Sequence, residues 1–209
     1  MAISYPIAFP VISGVESVVL RTRPVVAVSE SPFTLTQQAQ AHQGQRWEAS
    51  VNIPTRKRSI AEYWVAFLLK LNGRQGTFLF GDPNGATPRG SASSSPGTPV
   101  VDGAGQTGNQ LNISGAPSGA SGYLLAGDYI QLGSGSGSRL FKVLDDVNTD
   151  SVGDFTALLW PSLRSSPANG ATVVVSAAQG VFRLDKNLTE WGISQQTFYD
   201  ISFNAVEVL

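Results

Sequence analysis

A strand, one amphipathic helix and a second strand follow each other without interruption over residues 45–83, and no other stretch restricts the fold as strongly. Trp47, Ala49, Val51 and Ile53 alternate with Glu48, Ser50 and Asn52. This period of two predicts a strand with one buried face. Pro54 is expected to end the ladder, since it has no N–H to donate. A helix is expected over 59–72. Ser59 and Glu62 have the spacing of a capping box, in which each would satisfy an orphaned backbone N–H. Ile60, Tyr63, Trp64, Phe67, Leu68 and Leu71 recur as one apolar stripe. Asn72-Gly73 supplies the stop, because Gly takes the left-handed conformation without steric cost. Thr77, Phe78, Leu79 and Phe80 read as a short strand ending at Gly81-Asp82-Pro83. A stripe with a Trp, a Tyr and a Phe needs a cover, most simply the sheet formed by its flanking strands.

Upstream, Pro6, Pro10 and Gly14 break an apolar opening segment, 1–14. It reads as an extended arm, laid either on its own domain or on a neighbouring subunit. Residues 17–22 predict a strand, and Val25 to Val28 continue it or begin another. Ser31-Pro32 turns the chain, 33–38 reads as a strand, and 39–44 as the hairpin loop leading to Trp47. Gln37, Gln38, Gln40, Gln43 and Gln45 give this region a high amide content. Amides suit an adjustable interface, or simply a polar surface.

After Pro83 the composition shifts to Gly, Ser, Pro and Thr, and 84–99 reads as a linker. Beyond it, 110–113, 128–132, 140–144, 155–160 and 172–175 are short strand patterns between Gly-rich turns, which suggests a small barrel or sandwich. Residues 181–184 and 195–209 return to strand patterns and are expected to pair with those before residue 83. The fold class is therefore mainly β. A β-sandwich-like domain with one helix is built from 1–83 and 177–209, and a small β-barrel or sandwich over 84–176 is inserted into it.

The order W-E-A-S-V-N-I-P, then a single amphipathic helix, then F-L-F-G-D-P resembles the distal tail proteins of long-tailed bacteriophages. The likeness continues in the insertion. Leu124 to Gly133 (LLAGDYIQLG) is followed by R-L-F-K-V, a D-x-x-G turn and W-P-S-L-R. The family's inserted modules include ones like oligosaccharide- or oligonucleotide-binding barrels and galectin-like sandwiches. The resemblance implies a structural virion protein, a tail hub subunit in a six-fold homo-oligomeric ring between the tail tube and the tail tip or baseplate. Its partners would be copies of itself, the tube protein and the tip proteins. DNA would pass through the channel without specific binding. The place implied is the virion tail, assembled in the host cytoplasm.

The residues themselves restrict the chemistry. The net charge of −1 offers no basic field for nucleic acid. Charged residues are 14% of the 209, against about 25% in globular proteins generally. Low charge suits a surface covered by neighbours, or a Gly/Ser-rich β protein with uncharged polar loops. There is no Cys, so disulfides and thiolate metal sites are impossible. No run of about 18 apolar residues predicts a membrane span, and the opening residues lack the form of a secretory signal. The single His42 lies in a Gln/Ala/Gly segment with no carboxylate nearby in sequence. Asp145, Asp146, Asp150 and Asp154 lack calcium-loop spacing and read as a turn. Asp128 and Glu190 are carboxylates in different units, and 133–138 lacks the lysine of a phosphate loop. No catalytic, metal or cofactor site is expected, and the chain is not read as an enzyme. The alternative function is a host-surface carbohydrate-binding module acting through the insertion. Tyr123, Tyr129 and Trp160, with Phe141 nearby, are its candidate sugar contacts. Packing of a small barrel core is the other use of the same side chains.

Overall fold

The computed structural model describes residues 3–10, 15–194 and 197–209. In chain order these form β1 (Ile7–Ala8), β2 (Ser17–Glu30), β3 (Gln37–Lys57), helix α1 (Arg58–Leu71), β4 (Phe78–Phe80), β5 (Val100–Val101) and β6 (Gly108–Ser114). There follow β7 (Tyr129–Leu132), β8 (Arg139–Val143), β9 (Phe155–Leu163), β10 (Val173–Val174), β11 (Gly180–Leu184), β12 (Trp191–Ile193) and β13 (Phe198–Glu207). The described residues are mainly β with one α-helix, as the sequence predicts.

Two sheets divide the strands. The first runs β1-β4-β11-β13-β3-β2, with β12 added beside β13. It unites the beginning and the end of the chain, because β13 lies antiparallel to β3 from Val206 opposite Glu48 to Phe198 opposite Lys57. The second runs β10-β7-β8-β9-β6-β5. Val100 bridges Thr172, and Val101 N donates to Ala171 O at 2.9 Å. This sheet therefore curls until its two ends meet.

The first core lies under α1. Trp64, Phe67, Leu68 and Leu71 bury themselves against Val51, Ile53, Phe78, Phe80 and Phe182. Phe9 joins them, with ring centroids 5.3 Å from Trp64 and 4.9 Å from Phe80. The opening segment thus lies on its own sheet. Ile7 pairs with Phe78, and the Tyr5 hydroxyl donates to Lys70 O at 2.6 Å. Residues 1–2 and 11–14 of that segment, and 195–196 of the closing one, lie outside the described residues.

Several local expectations need correction. β3 does not stop at Pro54. Tyr199 faces Arg56 and Ile201 faces Ile53, so Asp200 alone stands opposite Pro54 and Thr55. The proline sits in this bulge, where no ladder donor is required. The strand therefore runs on to Lys57, and the helix starts at Arg58 without a side-chain cap. Ser59 falls inside the first turn, and Glu62 pairs with Arg58 at 3.2 Å instead of closing a capping box. The stop is as expected in kind, but Asn72 (φ 49°) and Gly73 (φ 64°) are both left-handed. Tyr63 is 55% exposed. It lies about 100° round the helix from Trp64, on the opposite side from the buried Val65.

The 84–99 run is not a free linker. Ala92 is fully buried, and its N–H and that of Ser91 donate to Tyr123 O and Gly122 O at 3.0 and 2.9 Å. A Cβ on Gly90 would stand 2.3 Å from Tyr123 O, so glycine is what permits this approach. Small residues pack here against the barrel; they do not mark flexibility.

Candidate functional site

The segment 39–44, expected as a loop, is strand. β2 and β3 form a single long hairpin, paired from Ser17 opposite Asn52 to Glu30 opposite Gln37. Its tip is 31–36. Ser31 N donates to Thr36 O at 3.0 Å and Leu35 N to Ser31 O at 2.9 Å. Leu35 holds a left-handed backbone (φ 57°), which is strained for a branched side chain. Val25, Val26 and Val28 favour the extended state by their β-branching, and this local preference outweighs the loop-like composition of 39–44.

Beyond Pro24 and Gln45 the hairpin leaves the body of the sheet as an arm, with every residue of 21–30 and 37–44 exposed. Its two faces differ. Val26 is opposite Ala41 and Val28 opposite Ala39, which makes one face apolar up to the polar Glu30–Gln37 rung beside the tip. Val25 is opposite His42, Ala27 opposite Gln40, and Ser29 opposite Gln38, which makes the other face mostly polar. At the tip Phe33 is 94% exposed and Leu35 69%. A lone two-stranded ribbon is marginal in water, so the exposed apolar side chains of this arm are its candidate interaction surface. Among the described residues no strand pairs with the outer side of β2, which leaves a 14-residue sheet edge open to strand addition.

The candidate sugar contacts lie elsewhere and are not open. Tyr123 is fully buried, and its hydroxyl donates to Pro96 O at 2.6 Å. Burial pushes its phenol up to about 12. Tyr129 is also buried. Burial first, and then the Asp82 carboxylate, raise its phenol, while Lys142 Nζ donates to its oxygen at 2.9 Å. Trp160 is half-buried and meets Trp47 edge to face at 4.4 Å. Trp47 also touches Tyr129, at 6.1 Å between ring centroids. Phe141 is buried in the barrel core. Two of the three candidates thus help seat the barrel on the first sheet, and Tyr123 fills the barrel. No concave aromatic platform is formed by them, and the expectation of a sugar site there is corrected.

Asp128 and Glu190 do not come together either. Asp128 is buried and accepts from Arg89 N and Leu125 N, at 2.9 and 2.8 Å. Glu190 instead lines a groove of about 410 Å³ in the first sheet, beside Asp185, Lys186, Asn52 and Phe203. Asp150 accepts from Val152 N and Asp154 N, at 2.9 and 2.8 Å, and these bonds hold its carboxyl below the usual range. That is the chemistry of a turn. His42 stands on the polar face of the arm. Among the described residues no group of three or more His, Asp or Glu is placed to hold a metal ion, and no helix is long and apolar enough to cross a membrane.

The hairpin arm was legible only as fragments. The signal that reveals it is the continued alternation of Gln38, Gln40 and His42 with Ala39 and Ala41. Compared with known proteins, the chain matches no family model and no curated sequence.

Proposed function

We propose that this chain is the subunit of a self-closing ring, the distal tail hub of a long-tailed bacteriophage, joining the tail tube to the tail tip or baseplate. The observation that carries the self-assembly is the arm: an apolar face and an open strand edge projecting from a body whose own core is already complete. In a ring the arm of one copy lies on a different patch of the next, a heterologous contact that closes when the rotation allows. The phage assignment rests on the likeness of Trp47–Pro54, α1 and Phe78–Pro83 to the distal tail family. Six copies are proposed, with the tube and tip proteins as neighbours above and below. The role is architectural rather than catalytic. DNA passes through the channel without specific binding, in keeping with the net charge of −1. The virion tail, assembled in the host cytoplasm, is the proposed location.

Electron imaging of the purified protein tests this. Closed rings with six-fold symmetry are expected. A double variant, Val28→Asp with Phe33→Asp, should disperse them while each chain stays folded. An absence of rings for the unaltered chain, or rings untouched by the substitutions, rejects the proposal.

A further inference from the structure

The root of the arm is held by the inserted barrel. Pro24 is opposite Gln45 and Val25 opposite His42, so Gln43 and Gly44 have no partners on β2. A ribbon bends most readily at such a bulge, because ladder bonds are missing there. At this point β9 and the residue following it reach across from the barrel. Ser162 N donates to Gln45 Oε1 at 2.7 Å, and Arg164 Nη2 donates to Gln45 O at 2.8 Å. The same guanidinium forks onto Glu207, with Nη1 to Oε1 at 3.0 Å and Nη2 to Oε2 at 2.6 Å. The Glu207 side chain is fully buried, and its Oε2 also accepts from Trp47 N at 3.0 Å. Trp47 in turn donates from Nε1 to Leu140 O of the barrel at 3.0 Å.

Arg164 therefore stands on the barrel and is bonded both to Gln45, the residue bordering the arm's bulge, and to Glu207 in the body of the first sheet. We infer that the barrel sets the direction of the hairpin arm through this joint, with Arg164 as the positioning residue. A shift of the end of β9 carries Gln45 with it, and the arm pivots at its bulge. Forces that load the barrel are delivered to the arm, and an arm held by a neighbour resists movement of the barrel. The joint requires a planar fork with several donors, which a lysine cannot supply. The inference concerns coupling within one chain and holds whatever the arm binds.

Amide hydrogen exchange on the full-length protein tests it, with variants compared in the same oligomeric state as fixed by light scattering. Arg164→Lys keeps a positive charge beside Glu207 but loses the fork. Exchange in 25–30 and 37–44 should then rise about tenfold, while Leu111 and Ala157 inside the barrel keep their protection. Gln45→Ala removes the Ser162 bond alone and should raise arm exchange by a smaller factor, without loss of fold. It serves as the deciding variant if Arg164→Lys does not fold. Unchanged arm exchange in a folded variant would overturn the inference. So would a uniform rise across both sheets, since that is the mark of general loosening.

Discussion

The two sheets solve the problem of their edges differently. In the barrel, β5 meets the 170–173 segment through Val101 N to Ala171 O and Gly170 N to Val101 O, so the ends of the sheet pair with each other. Its core, with Leu111, Ile113, Tyr123, Ile130 and Val143 fully buried, is self-contained. The first sheet has an equally well buried centre around Trp64 and Phe78, but among the described residues it stays open at β2 and extends that edge into a bare arm. Closure removes the risk of pairing with another chain, and an open edge invites it. The contrast separates a sheet that closes on itself from one that, in the function proposed above, is completed by neighbours. It also places the exposed apolar strip on the first sheet, away from the aromatics of the barrel.

Four substitutions probe the difference between the two sheets. Trp47→Ala should have the largest effect. It removes a buried ring that seats the barrel, and should cost about 3–5 kcal/mol, read by chemical denaturation. It should also split one unfolding transition into two, as the halves lose their common anchor.

Tyr123→Phe should act on the barrel alone. Losing the bond to Pro96 O should cost about 1 kcal/mol at neutral pH. The phenol also gives the barrel an alkaline limit. Its pKa in the folded protein, about 12, lies above the value near 10 of an unfolded chain. Its contribution is whole below pH 10 and is lost as pH rises from there through 12. Thermal melts across pH 9 to 12 should therefore fall less steeply for Tyr123→Phe than for the unaltered protein.

Asp150→Asn tests a turn on the barrel's rim. The folded-state pKa is lowered by backbone N–H donors, so the ionised carboxylate stabilises the turn at neutral pH. That benefit is present above about pH 4 and disappears as pH falls through the folded-state value. The gap in melting temperature between Asp150→Asn and the parent should therefore close under acid. Smallest of all should be the effect of Phe33→Ser on the stability of an isolated chain, within about 0.5 kcal/mol. That is the expectation for a side chain 94% exposed at the tip of the arm. The same change should weaken self-association, read by sedimentation, and so separate folding from assembly.

What the sequence disclosed, and what it hid, follows the range of the interactions. The mainly β class, the helix with its stop at Asn72-Gly73, and the buried alternation of Trp47, Ala49, Val51 and Ile53 rest on local periodicity, and they were readable. The bulge that carries β3 past Pro54 depends on Asp200, far along the chain, and could not be seen locally. The packed state of 84–99 depends on Tyr123 O coming close to Gly90. The role of Trp160 and Tyr129 depends on Trp47, in the other sheet. The arm was hidden for another reason. Gln and Gly in 39–44 look like loop composition, yet the segment keeps its strand period, and pairing with the valines of β2 decides its state.

The central claim is that the first sheet is completed by further copies of the chain. Light scattering on the purified protein, at concentrations well above those of dilute imaging, tests it most directly. One closed species near six times the 22.1 kDa of a single chain is expected, falling to one chain's mass when Val28 and Phe33 are both changed to Asp. A mass of 22.1 kDa for the unaltered protein at every concentration would contradict it.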